Sequence, residues 1–168
     1  MNNRTTSNQD ELIFQQPTKY DGKEMWALAK RTSLDLNSAY KYLMMAEYFS
    51  KTCVVAKENG ELVGFITGFI EPDKPDTVFV WQVGVDSSQR GKGVASRMLD
   101  ALLASSGCEQ VKYLEATITD DNQASQKLFK GLARKRNTSC DVFETFPEEA
   151  FPDGHDAEYT YRIGPFPE

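Results

Sequence analysis

The sequence predicts an α/β domain: a mixed central sheet flanked by helices, in the order β-α-α-β-β-β-α-β-α-β-β. Three observations carry this. Short apolar, β-branched runs alternate with segments whose apolar residues recur at helical spacing. An Asn-Gly pair, Asn59-Gly60, separates two of the strand-like runs. The run Val80 to Val85 leads through a glycine turn directly into a helical pattern.

Taken in order, Leu12 to Phe14 makes a short first strand. Asp21 and Glu24 have capping-box spacing and open a helix through Ser33, with Met25, Leu28 and Ala29 on one face. Asn37 or Ser38 caps a second helix, where Tyr40, Leu43, Met44 and Tyr48 fall at helical spacing. Thr52 to Ala56 and Leu62 to Ile70 form the hairpin about Asn59-Gly60. A loop from Pro72 to Asp76 precedes the long strand Thr77 to Asp86. A helix from about Lys92 to Ser105 buries Val94, Met98, Ala101 and Leu102, and Gly107 is placed to end it. Val111 to Thr119 is the next strand. Asp120 or Asp121 caps a helix carrying Ser125, Leu128, Phe129 and Leu132 on one face. Asn137 to Phe146 and Ala157 to Ile163 are the last two strands.

The chain has 168 residues, 40% of them hydrophobic, which suits one packed domain. Residues 11–168 are expected to form it. Met1 to Asp10 is polar, lacks the apolar centre of a signal peptide and is expected to be a disordered tail. No apolar run reaches the roughly 18 residues of a membrane helix. The protein is therefore expected in the cytoplasm. Cys53, Cys108 and Cys140 are far apart, and His155 is the single histidine, so neither a disulfide framework nor a metal site is expected. A net charge of −6 disfavours nucleic acid and anionic membranes and suits a small cationic substrate.

The turn Gln89-Arg90-Gly91-Lys92-Gly93-Val94-Ala95 holds the clearest chemistry. A helix N-terminus presents unpaired N–H groups and partial positive charge. Gly91 and Gly93 permit positive φ and let an anion approach the backbone. Arg90 and Lys92 add charge for a diphosphate. The spacing is neither that of a Walker loop nor that of a dinucleotide fingerprint, whose last glycine is missing here.

This turn, in this strand-to-helix setting, resembles the [QR]-x-x-G-x-[GA] signature of the GNAT superfamily of N-acetyltransferases, and the order of elements is similar too. The resemblance implies acetyl-CoA as cosubstrate. It implies that Val83 and Val85 offer backbone groups to the pantetheine arm, in a gap between Thr77–Asp86 and Val111–Thr119. Asn122, Ser125, Leu128 and Phe129 fit the second half of the family pattern, with Asn122 at the pantetheine amide or thiol end. Phe129 departs from it. Many members carry there a tyrosine that protonates the leaving thiolate, so either another group is the acid or the thiolate leaves with help from a helix dipole and water.

Further strings resemble one branch of that superfamily, the L-2,4-diaminobutyrate acetyltransferases of ectoine biosynthesis. They are Leu34-Asp35-Leu36-Asn37-Ser38 with Tyr40 and Tyr42, Thr52 to Ala56, Trp81 to Asp86, Leu114-Glu115-Ala116-Thr117, and His155-Asp156-Ala157-Glu158. The resemblance spans Leu12 to Ile163. It implies transfer of acetyl to the γ-amine of L-2,4-diaminobutyrate by a cytoplasmic homodimer serving osmotic protection.

Such a transfer needs a neutral amine, and on the order of one alkyl amine in 10³ is neutral at pH 7. A carboxylate base, directly or through water, would remove the proton. Glu115 lies within an apolar strand at the expected gap, sharing a face with Tyr113 and Thr117, and is either that base or an ammonium ligand. Trp81 either walls the acceptor pocket, attracting an ammonium through its π face, or packs in the core. Asp35 either binds an ammonium or caps a helix, and Thr117 can hydrogen-bond the acceptor. By resemblance, His155 pairs with the substrate carboxylate and Glu158 with an ammonium. Two alternatives stand beside this reading: a GNAT enzyme for another amine, such as a polyamine or an aminoglycoside, and a CoA-binding module without catalysis.

Overall fold

The computed structural model describes residues 11–168; the tail expected at Met1 to Asp10 lies outside the described residues. Seven strands form one sheet in the order β1-β2-β3-β4-β5-β7-β6. The strands are β1 (Leu12–Gln15), β2 (Val54–Glu58), β3 (Glu61–Glu71), β4 (Lys74–Val85), β5 (Tyr113–Ile118), β6 (Ser139–Phe146) and β7 (Glu158–Gly164). The helices are α1 (Gly22–Arg31), α2 (Ala39–Tyr48), α3 (Val94–Leu103) and α4 (Gln123–Lys135). Every strand pairing is antiparallel except that of β4 with β5. The predicted order of elements is the observed one.

The helices divide between the two faces. Met25, Leu28 and Ala29 of α1, with Tyr42 and Ala46 of α2, pack on Val55 and Phe65. On the other face Val94, Met98, Leu99 and Leu102 of α3 and Phe129, Leu132 and Ala133 of α4 meet Val54, Ile66, Val80, Leu114, Ala116 and Ile163. Each buried Val, Leu, Ile, Met or Phe among them contributes about 1.5–3 kcal/mol by leaving water.

The hairpin follows its turn signal: Asn59 and Gly60 both take positive φ, 52° and 82°. Elsewhere local signals gave way to tertiary contacts. Asp21 does not cap α1. Its carboxylate accepts from the Thr18 amide at 2.8 Å and pairs with Lys57 at 2.9 Å, and a 3-10 turn leads into the helix. Helix α2 buries Tyr42, Met45 and Ala46, while Tyr40, Leu43, Met44 and Tyr48 face outward. The Pro72–Asp76 loop is only a tight turn, since Glu71 already pairs with Lys74 and β4 starts there. Gly107 does not end α3. A Cβ on it would lie 2.4 Å from the Lys51 carbonyl, so close packing of two loops is what requires glycine. Helix α4 is capped by Asn122 rather than an aspartate: its Oδ1 accepts from the Ser125 amide at 3.1 Å.

One departure from regularity places the site. Strands β4 and β5 pair only from Thr77–Tyr113 to Phe79–Glu115 and then diverge. The divergence begins where β4 carries an extra residue against β3: Thr67 pairs with Gln82 and Gly68 with Val80, leaving Trp81 as the bulge.

Candidate active site

Beyond Phe79 the β5-facing edge of β4 is open. The Gln82 amide donates to Thr67 Oγ1 at 3.2 Å, and the Asp86 amide to the Val63 carbonyl at 2.8 Å, both towards β3. Backbone groups alternate sides along a strand. Those of Val83 and Val85 therefore point into the gap, as an extended amide chain lying there would need.

At the end of β4 the chain makes the glycine turn. Gly91 and Gly93 have φ of 79° and 65°, and no atom stands within 4 Å of where a Cβ would be on either. α3 consequently begins at Val94 rather than Lys92. The space before its N-terminus can accept a diphosphate. The six-residue signature falls on Arg90, Gly93 and Ala95, one residue later than a register starting at Gln89. The side chains agree: Arg90 is exposed, while Gln89 is turned inward, with Oε1 buried and unpartnered. Lys92 pairs with Glu58 at 3.4 Å.

A cavity of about 650 Å³ opens at the splay. Asp35, Asn37, Trp81, Gln82, Thr117, Thr119, Asp121, Asn122, His155, Asp156 and Glu158 are among its lining residues. The structure thus gathers Asp35, Trp81, Thr117, Asn122, His155 and Glu158, which come from five separate segments. Ser125 and Phe129 lie further along α4, and the Phe129 ring is in the core, 3% exposed.

Two hydrogen bonds, invisible in the sequence, fix the Asp35 wall. Tyr42 donates through its hydroxyl to Gln82 Oε1 at 2.8 Å, and Gln82 Nε2 donates to the Asp35 carbonyl at 2.9 Å. Opposite, the His155 ring stacks on Phe151 with centroids 3.8 Å apart and planes 11° from parallel. Its Nδ1 donates to the Asp156 carbonyl, so in the neutral ring Nε2 is the acceptor. Trp81 is 47% exposed and forms a wall of the cavity.

The two candidate carboxylates differ. Glu158 lines the cavity, and its Oε2 is buried without a partner. Burial pushes its pKa up, while the nearby His155 and Thr117 act against the rise. Glu115 does not line the cavity. It sits two residues before Thr117 on the same face of β5, where Oε2 accepts from Arg162 at 2.6 Å and lies 3.6 Å from Lys74 Nζ. Burial opposes its ionisation, but hydrogen bonds from Glu71 and Arg162 and the two cations outweigh that and hold its pKa low. Glu71 is pushed up to about 7, first by burial and then by Glu115.

The acetyltransferase (GNAT) family profile matches residues 22–133. The L-2,4-diaminobutyric acid acetyltransferase of Marinococcus halophilus is 63% identical over 163 residues, 96% of this chain and 95% of that protein. That of Halalkalibacterium halodurans is 58% identical, covering 92% of this chain and 82% of that protein. Among solved structures, the diaminobutyrate acetyltransferase EctA from Paenibacillus lautus, in complex with its substrate L-2,4-diaminobutyric acid and coenzyme A, is 41% identical. It matches with a TM-score of 0.90 over 95% of this chain and 98% of that one. Ard1 from Thermoplasma volcanium shares the fold, with a TM-score of 0.77 at 17% identity over 93% of this chain and 99% of that one.

Proposed function

This chain belongs to the GNAT family of acetyltransferases, and within it to the L-2,4-diaminobutyric acid acetyltransferases, and from that membership we propose its reaction: it transfers the acetyl group of acetyl-CoA to the γ-amine of L-2,4-diaminobutyrate, giving N4-acetyl-L-2,4-diaminobutyrate and CoA. The observation that carries this reading is the cavity at the β4–β5 splay. Asp35, Asp121, Asp156 and Glu158 surround it with carboxylates, and Trp81 adds a π face. A short diamine with two ammonium groups is the matching ligand.

The cosubstrate fits the gap as substrate. The turn at Gly91 and Gly93 takes the diphosphate, and the outward backbone groups of Val83 and Val85 take the pantetheine amides. Asn122 lies on the cavity side, with its Oδ1 committed to capping α4.

The γ-ammonium must lose a proton before its nitrogen forms a bond to the thioester carbonyl carbon; the C–S bond then breaks, CoA leaves as the thiolate, and the second proton lost from nitrogen neutralises it to the thiol. Glu158 is the acceptor this reading assigns: it lines the cavity, its Oε2 is buried without a partner, and its raised pKa makes it a stronger base than an exposed glutamate. Asp35 then holds the second ammonium, and Thr117 orients the acceptor. Glu115 is the second reading for the base. It is favoured by the Glu71–Glu115 carboxyl pair, which can hold a proton near neutral pH, and a water from Thr117 would carry the proton to it.

In the cell the product belongs to ectoine biosynthesis and osmotic protection, in the cytoplasm. The enzyme is a homodimer in this reading. Support comes from β6, an edge strand whose Val142, Phe143 and Phe146 are each nearly half exposed. Among the described residues no helix is long and apolar enough to cross a membrane. The test is acetyl-CoA-dependent thiol release with diaminobutyrate, ornithine, lysine and putrescine, with the product's acetylated nitrogen located by NMR. Preference for putrescine, or acetylation at the α-nitrogen, would overturn the assignment.

A further inference from the structure

Lys41 is an unusual lysine. Lys57, Lys74, Lys92 and Lys135 each sit against a carboxylate. The Lys41 Nζ is buried and has no hydrogen-bond partner. It rests 3.5 Å from the centroid of the Trp81 ring and 5.0 Å from that of Tyr42. It is also on the first turn of α2, where the helix dipole disfavours a cation. Burial lowers its pKa to about 8, although Cys53 and Asp35 pull the other way. A leucine or methionine would avoid the burial and dipole costs and forgo only the attraction of a cation to the Trp81 ring.

The cavity has the complementary deficit. Trp81 is part of its wall, and among the described residues its lining holds four carboxylates, one histidine and no lysine or arginine. That set accounts for two ammonium groups. It leaves the acceptor's carboxylate facing like charges, with His155 as the single lining group able to become cationic. The Lys41 ammonium, lying on the ring of a wall residue at the end of a flexible side chain, is the available counter-ion.

We propose that Lys41 receives the α-carboxylate of the amino-acid acceptor at the Trp81 wall, and so selects an amino acid over a diamine of the same length. This rests on the diaminobutyrate reading above. The carboxylate replaces an unpartnered environment with a charge-assisted hydrogen bond, which is worth more inside the protein than in water.

The test compares diaminobutyrate with 1,3-diaminopropane, the same molecule without its carboxylate. Dissociation constants for both are measured by calorimetry on the CoA-loaded protein, for the wild type, Lys41→Met and Lys41→Arg. Lys41→Met is expected to lower the preference for diaminobutyrate over diaminopropane by about tenfold or more. Lys41→Arg, which keeps the charge, is expected to retain most of the preference. An unchanged preference in Lys41→Met, or the same loss for both ligands, overturns the role of Lys41. If the wild type itself neither binds nor acetylates diaminobutyrate, the acceptor assignment falls instead, and the two failures are thus distinct.

Discussion

Arg162 on β7 donates to Glu115 on β5 at 2.6 Å, directly across the strand register, while Lys74 at the start of β4 stands 3.6 Å from the same oxygen. Strands β4, β5 and β7 are thus joined by this one carboxylate, at the end of the sheet where β4 and β5 still pair. Glu115 is 5% exposed, so its charge is buried, while the Arg162 side chain that reaches it is partly exposed. Arg162→Met leaves that charge without its main partner and is expected to cost about 3–5 kcal/mol in urea denaturation. A loss below about 1 kcal/mol would show that Lys74 alone suffices.

The same geometry separates the two readings of the base. Glu158→Gln is expected to lower kcat by about 10²-fold or more at saturating substrates. Glu115→Gln is expected to act mainly on stability. If Glu115→Gln carries the large kcat loss and Glu158→Gln does not, the proton leaves through β5.

The pH dependence of activity follows from Glu158. It must be ionised to take a proton, and burial raises its pKa. The acid limb of kcat/KM is therefore expected above the ordinary glutamate range, and Glu158→Gln should remove it. A wild-type limb at the ordinary position would argue against Glu158.

Glu71 predicts a stability effect with a definite sign. Its pKa is raised from 4.5 to about 7. Its protonated form is thus favoured in the fold, and ionisation works against folding as pH rises through that window. Wild-type Tm should fall between pH 5 and pH 8 by more than that of Glu71→Gln, with the variant gaining on the wild type at pH 8. Parallel Tm curves from differential scanning calorimetry would contradict this.

Gly91→Val tests the phosphate turn. Since no protein atom stands near the absent Cβ, the fold resists the change only through φ, at a cost of about 1–2 kcal/mol. The larger effect should fall on CoA, whose dissociation constant is expected to rise by at least about tenfold as the side chain enters the anion's space. Equal CoA affinity would remove the turn from the site.

Gln82 links α2 to the acceptor wall through Tyr42 and the Asp35 carbonyl. Gln82→Leu removes both hydrogen bonds, while Asn37 Nδ2 still donates to the Asp35 carbonyl at 3.3 Å, so the loss is expected at about 0.5–1.5 kcal/mol per bond. It is expected to raise KM for diaminobutyrate more than KM for acetyl-CoA, because only the Asp35 side of the cavity loosens. An equal rise in both would place Gln82 in the cofactor gap.

Short-range chemistry encodes the order of strands and helices, the Asn59-Gly60 hairpin, and the turn whose glycines take positive φ before α3. Those features depend on a few neighbouring residues. Contacts between distant segments set the rest. Helix α2 has apolar residues on both faces, and only packing against Val55 and Phe65 selected Tyr42 over Tyr40 for burial. The Trp81 bulge and the early divergence of β4 from β5 depend on strand pairing, which no local pattern specifies. The central strand position of Glu115 points to a cavity carboxylate. Its charge is instead absorbed by Arg162, 47 residues away in the chain, and the exposed end of the same face is held by Glu158. A partner brought by a distant strand changes what a carboxylate can do, and that partner is legible only once the sheet has formed.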